Sequence, residues 1–178
     1  MVLALTGPVH GGKTTFLERA WPGWAAAGLA CAGFLSPAAT DENGETGYDL
    51  LEVPALRRRP YLRRGGGARA ARTGPYAFLP GALERARRIL RHGGRAGLLI
   101  VDEVGPLELE GGGLWPALRG ALRRPEGATL LVVRESVADG LAAAVAPLVP
   151  VFFDVRDPGD MRLLDERLRA SAVRPGRP

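Results

Sequence analysis

Lysine is almost absent from this chain. Lys13 is the only one in 178 residues, and every other basic residue is arginine. Cysteine is equally scarce. Cys31 stands alone in an apolar run, which excludes an intrachain disulfide and reads as a buried small hydrophobe. The histidines are His10 and His92, so no Cys/His cluster with metal-ligand spacing exists. Aromatics make up 6% of the chain, leaving Leu, Ala and Val to fill the core. No apolar stretch approaches the roughly 20 residues of a membrane span. The first residues carry no charged region and only a short apolar run, so no signal peptide is expected, and a soluble cytoplasmic protein is. Acid is missing from one stretch: between residues 57 and 95 only Glu84 opposes a dense series of arginines. Such a stretch suits a polyanion or a solvated surface.

What is present begins with the one lysine. Gly7-Pro8-Val9-His10-Gly11-Gly12-Lys13-Thr14 fits the phosphate-binding loop G-x-x-x-x-G-K-[ST], and Thr15 follows it. The loop wraps phosphate closely, and a compact ammonium must reach between the β- and γ-phosphates. A planar guanidinium is larger and prefers a bidentate fork. Gly7 to Thr15 are therefore the expected nucleotide-binding residues, with amides of Gly11 to Thr14 facing phosphate from a helix N-terminus. Only the backbone of His10 is needed there.

The context agrees. Residues 1–6 (MVLALT) read as a buried strand, and 14–27 as a helix with Phe16, Leu17, Ala20 and Trp21 on its apolar face. Residues 29–35 and 47–53 read as strands around a polar turn, so 31–53 is expected to be a β-hairpin inserted after the first helix. Residues 54–72, rich in Pro, Gly and Arg, are expected to be an irregular loop, mobile around Gly65-Gly66-Gly67. A short strand at 75–79 and a helix over 80–92 follow. Residues 96–102 (AGLLIVD) form an uninterrupted apolar run, as strands covered on both faces do. Then come a helix at 115–123, a strand at 128–133, a helix at 136–146, a strand at 149–155 and a helix at 159–170. This alternation implies an α/β fold with a mostly parallel central sheet flanked by helices. A single domain over 1–171 is expected, with 172–178 a disordered tail.

Leu98-Leu99-Ile100-Val101-Asp102 is a Walker B pattern, in which the acid closes a central strand. Asp102 and the Thr14 hydroxyl are the expected Mg²⁺ ligands. Glu103, next to that acid, can orient and polarise a water against the γ-phosphate, which favours hydrolysis over transfer to another acceptor. Arg134 follows the strand Leu130-Leu131-Val132-Val133. Strand carboxyl ends gather at one crevice, so Arg134 can reach the γ-phosphate. Its alternative is a surface ion pair with Glu135 or Asp139. Glu103, Lys13 and Arg134 are the candidate catalytic residues.

Two blocks carry a resemblance. Thr6-Gly7-Pro8 into Gly12-Lys13-Thr14-Thr15, and Asp102-Glu103-Val104-Gly105-Pro106-Leu107-Glu108-Leu109, resemble the small nucleoside-triphosphatases first recognised in thermophiles, a family with a human cancer-related member. Gly33-Phe34 with Gly47-Tyr48-Asp49 is similar to that family's "GF…GFD" pattern, and Thr73-Gly74-Pro75-Tyr76 to its "VGxY" segment. The resemblance implies a RecA-like P-loop fold, Mg²⁺ dependence and slow hydrolysis of several NTPs to NDP and phosphate. The chain departs from the family at Asn43-Gly44-Glu45-Thr46-Gly47, where an Arg is usual, and at Val132-Val133-Arg134-Glu135, where a Thr-x-His sequence is common. The first departure leaves the role of that Arg to the Arg57–Arg64 cluster. Glu108 matches the block and is expected to brace the loop that positions Glu103.

The expected function is therefore an Mg²⁺-dependent NTP hydrolase acting as a monomer. No N-K-x-D signature for guanine exists, so broad use of ATP, GTP and other NTPs is expected. Two alternatives remain. One is a small-molecule or nucleoside kinase with the 57–72 segment as a lid. The other is a nucleotide-dependent adapter that contacts a polyanion through Arg57–Arg72. Only Tyr61 and Tyr76 are aromatic between residues 54 and 77, so a nucleic-acid stacking platform is not favoured.

Overall fold

The computed structural model describes residues 1–65, 70–124 and 126–172. In chain order the elements are β1 Val2–Thr6, α1 Lys13–Ala26, β2 Cys31–Leu35, β3 Ala38–Thr40, β4 Thr46–Val53, β5 Arg58–Arg64, β6 Arg72–Thr73 and β7 Tyr76–Phe78. They continue as α2 Ala82–His92, β8 Leu98–Val104, α3 Pro106–Leu109, α4 Trp115–Leu122, β9 Ala128–Val133, α5 Ala138–Ala144, β10 Val151–Asp154 and α6 Pro158–Ala172.

The strands form one sheet in the order β10-β1-β9-β8-β2-β4-β5-β7-β6, with β3 paired to β4. From β10 to β2 all neighbours are parallel. Beyond β2 all are antiparallel. The apolar runs explain the parallel half. Successive side chains of a strand point to opposite faces. In β8, Leu99 and Val101 join the core beneath α2 and α4, while Leu98 and Ile100 join the core beneath α1 and α6. In β1, Val2 and Ala4 divide from Leu3 and Leu5 in the same way. Trp24 of α1 is fully buried, and its indole N–H donates to Asp165 of α6 at 2.7 Å, tying the two helices together.

Two expectations need correction. The segment after α1 is an antiparallel wing rather than a single hairpin: β4 pairs with both β2 and β3, but β2 is itself a strand of the parallel core. Residues 54–72 are not an irregular loop, since β5 occupies 58–64. Pro60 hid this strand, because it cannot donate to a ladder. It lies opposite Asp49, where the β4–β5 register shifts, so the lost donor coincides with an irregularity. Arg63 hid it too. This arginine is buried and donates to the Tyr48 and Leu62 carbonyls and to Asp49. Gly66 and Gly67 lie outside the described residues, as do 173–178 of the expected tail. Ala172 is the last residue of α6.

Two glycines of the "GF" and "GYD" pattern have a steric cause. A Cβ on Gly33 would sit 1.9 Å from the Ile100 carbonyl oxygen, and one on Gly47 would sit 2.0 Å from that of Leu62. Both strands approach neighbouring backbone more closely than any side chain allows. Gly33 thus closes β2 onto β8 within the parallel half, and Gly47 closes β4 onto β5 within the wing.

Candidate active site

In a parallel sheet the strand carboxyl ends share one edge, and a right-handed crossover brings a helix N-terminus to it. Here β1 delivers the Gly7–Gly12 loop and the start of α1, β8 delivers Asp102 and Glu103, β9 delivers Arg134, and β2 delivers Ser36. Together the loop, Thr14, Thr15, Ser36, Tyr48, Arg58, Asp102 and Glu103 line a cavity of about 420 Å³. That volume falls within the range of small-molecule sites, roughly 300–1,000 Å³.

Lys13 is buried. Its ammonium donates to the Gly7 carbonyl at 3.0 Å and the Pro8 carbonyl at 2.7 Å. Burial lowers its pKa, against which the charges of Glu103 and Asp102 act. The Thr14 hydroxyl donates to the Asp102 carboxylate at 2.8 Å. The Ser36 amide donates to the same oxygen at 3.0 Å, and the Ser36 hydroxyl donates to the Asp102 carbonyl. Asp102 is only 1% exposed, and burial raises its pKa to about 6 in spite of these donors. A buried carboxylate beside a threonine hydroxyl suits a cation: it lacks a countercharge that a divalent ion would supply. Among the described residues no cluster of three or more His, Cys, Asp or Glu could hold a metal by itself. Thr14 and Asp102 offer adjacent oxygen donors, and such a set fits Mg²⁺, which takes one or two protein ligands and completes its shell with waters and substrate phosphates.

Glu103 and Arg134 meet, with Nε and Oε1 2.5 Å apart. The partner of Arg134 is thus neither Glu135 nor Asp139, the two offered by the surface-pair alternative. Glu135 pairs instead with Arg156, which also binds Asp154. Both members of the Glu103–Arg134 pair are about a third exposed, so its contribution to stability is small. Its consequence is orientation: the Arg134 guanidinium holds one oxygen of the Glu103 carboxylate. His10 lines the cavity as well.

Glu108, left without a defined role beyond bracing, has one here. It is 3% exposed and accepts from the Gly105 amide at 3.0 Å and the Leu114 amide at 3.1 Å. The carboxylate thus pins residues 105–114 directly after Glu103. Glu108→Ala should strand both amides and cost about 2–4 kcal/mol, lowering Tm by about 5–15 °C in a thermal melt. Glu108→Gln, which keeps an acceptor, should recover at least about half of that loss. Equal melting of the two variants would remove the bracing role.

Reasoning from sequence missed Ser36, Tyr48 and Arg58. Ser36 follows a strand that ends at the shared edge, and that was the available signal. Arg58 bonds Asp49 at 2.9 Å and lies against the Ala38 carbonyl, at the rim of the phosphate cavity. It is the member of the Arg57–Arg64 cluster placed to meet an anion there. Arg63 is consumed inside the wing.

Comparisons with known proteins follow from this geometry. The sequence model of a family described as NTPase matches residues 2–155. The nucleoside-triphosphatase THEP1 of Hyperthermus butylicus is 28% identical over 154 residues, covering 86% of this chain and 81% of that one. A cancer-related nucleoside-triphosphatase homolog of Bos taurus is 30% identical over 115 residues, 59% of this chain and 60% of that one. The Pyrobaculum islandicum THEP1 is likewise matched over 60% of its length, so the chain spans about three fifths of these two relatives. The solution structure of a human cancer-related nucleoside triphosphatase superposes with TM-score 0.70 at 23% identity, over 97% of this chain and 98% of that one. The crystal structure of THEP1 from Aquifex aeolicus gives 0.62 at 19%, over 98% and 100%. These two likenesses establish the fold.

Proposed function

Because this chain belongs to the NTPase family, we propose that it hydrolyses nucleoside triphosphates to diphosphate and phosphate, slowly, with Mg²⁺ and with little regard for the base. One observation carries the reading. Lys13 and Thr14 from a helix start and Asp102 and Glu103 from a strand end line a single cavity of about 420 Å³.

In this reading the amides at the start of α1 and the Lys13 ammonium hold the β- and γ-phosphates. Lys13 exchanges its two loop carbonyls for phosphate oxygens. Thr14 and Asp102 would hold Mg²⁺, which neutralises charge on the phosphates when bound. Glu103, steadied by Arg134, aligns a water for in-line attack. A bond forms between the water oxygen and the γ-phosphorus, the bond to the diphosphate breaks, and the Glu103 carboxylate takes the proton. Arg134 then lies within a side chain's reach of the developing charge. No helix among the described residues is long and apolar enough to cross a membrane. NTPs and Mg²⁺ are cytoplasmic solutes, which places the proposed reaction there. A monomer supplies every residue the reading uses, and NTPs are the only partners it calls on.

Phosphate release from ATP, GTP, CTP and UTP should show kcat/KM values within about tenfold of each other. A preference for one base above about a hundredfold would end the claim of base tolerance. Absence of release from all four would end the hydrolase reading.

A further inference from the structure

Beside the phosphate cavity lies a second, more enclosed one of about 40 Å³. The two share Ser36, Tyr48 and Glu103. At roughly 10–15 Å³ of such space per water, it has room for about three. That is far below the roughly 300 Å³ at which small-molecule sites begin. Its lining is nonetheless polar enough to keep water. Thr73, Arg134 and Glu103 contribute, and so does Tyr61. Tyr61 is 3% exposed, and burial, with the charges of Glu108 and Asp102 adding to it, pushes the pKa of its phenol well up. A buried phenol normally finds a partner, and a water in this cavity would supply it. Tyr48 and Tyr76, edge to face with centroids 5.1 Å apart, form part of the wall.

We propose that this cavity is the nucleophile's chamber: it holds about three waters, one of them aligned by Glu103, and its walls exclude acceptors much bulkier than three waters, glycerol among them. The inference rests on the hydrolase reading and adds what that reading leaves open, the basis for choosing water over other hydroxyl compounds. The wing strands β4, β5 and β7 supply Tyr48, Tyr61, Leu62, Tyr76 and Phe78, the apolar and aromatic side of the wall, so exclusion is a chemical role for the wing. With an NTP in the phosphate cavity that Glu103 also lines, a bulky alcohol, as a kinase would need, has no space left beside Glu103. Methanol does. Its oxygen would form the bond to the γ-phosphorus, its proton would pass to Glu103, and the diphosphate would leave, giving methyl phosphate in place of inorganic phosphate.

The test is NTP turnover with Mg²⁺ in water containing methanol or, separately, glycerol, with products resolved by phosphorus NMR. The native chain should give methyl phosphate and no glycerol phosphate. Tyr76→Ala should open the wall and raise glycerol phosphate per NDP by about tenfold or more over the native background. Thr73→Ala, a milder change at a half-buried position, should do the same in smaller measure if Tyr76→Ala fails to fold. Glycerol phosphate from the native chain at a yield comparable to methyl phosphate would overturn the chamber while leaving hydrolysis standing. So would NDP formation with no methyl phosphate, or variants with an unchanged product ratio. Absence of NDP from every mixture would overturn the hydrolase reading and the chamber with it.

Discussion

Glu103→Gln should lower kcat by about 10²- to 10⁴-fold while NTP affinity stays within about threefold of the native value. The amide keeps the shape of the carboxylate but cannot take a proton from water. A change confined to kcat is the mark of an interaction made only in the transition state. Stability should barely respond, because the lost ion pair with Arg134 is about a third exposed on both sides. The same variant separates the competing functions. If the native chain binds NTP without releasing phosphate, and the variant behaves identically, Glu103 is not a water-positioning group and the chain is an adapter or a kinase awaiting its acceptor. Equilibrium binding with single-turnover phosphate release distinguishes these outcomes. An undiminished kcat would refute the role given to Glu103.

The parts of this site that could be read from sequence are those whose chemistry is local. The phosphate loop is a contiguous backbone shape, so its spacing carries the signal, and α1 begins at Lys13 as the pattern requires. The run Leu98–Val101 ending in Asp102 is legible for the same reason, since one strand buried on both faces writes itself as consecutive apolar residues. The wing was less legible because its strands are set by pairing across the sheet. Gly47 and Gly33 are placed by backbones distant in sequence, and nothing adjacent to them announces Leu62 or Ile100. Strand β5 reads as a loop because Arg63, which looks solvent-facing, is buried through bonds to Tyr48 and Asp49 on another strand. Arg134 shows the middle case. Its place at a strand end was readable, but its partner was not. Sequence neighbours suggested Glu135 or Asp139, whereas the parallel register sets the end of β9 beside Glu103.

Lys13→Arg tests the observation that the one lysine in an arginine-dominated chain cannot be exchanged. The Lys13 ammonium is 7% exposed and is held between the Gly7 and Pro8 carbonyls, which leaves no room for a planar fork. A guanidinium would have to displace the loop or turn away from it, and in either case the phosphates lose their central charge. Lys13→Ala should therefore reduce kcat/KM by about 10³-fold, near the upper end for removal of one transition-state donor. Lys13→Arg should fall within about tenfold of Lys13→Ala rather than near the native chain, although charge is conserved. Loss of NTP affinity should accompany both, in contrast to Glu103→Gln, because the lysine holds the ground state as well as the transition state. The measurement is kcat/KM for ATP together with calorimetric binding of a non-hydrolysable analogue. An arginine variant that retained more than about a tenth of native activity would show that charge alone suffices in this loop. The lone lysine would then be an accident of composition.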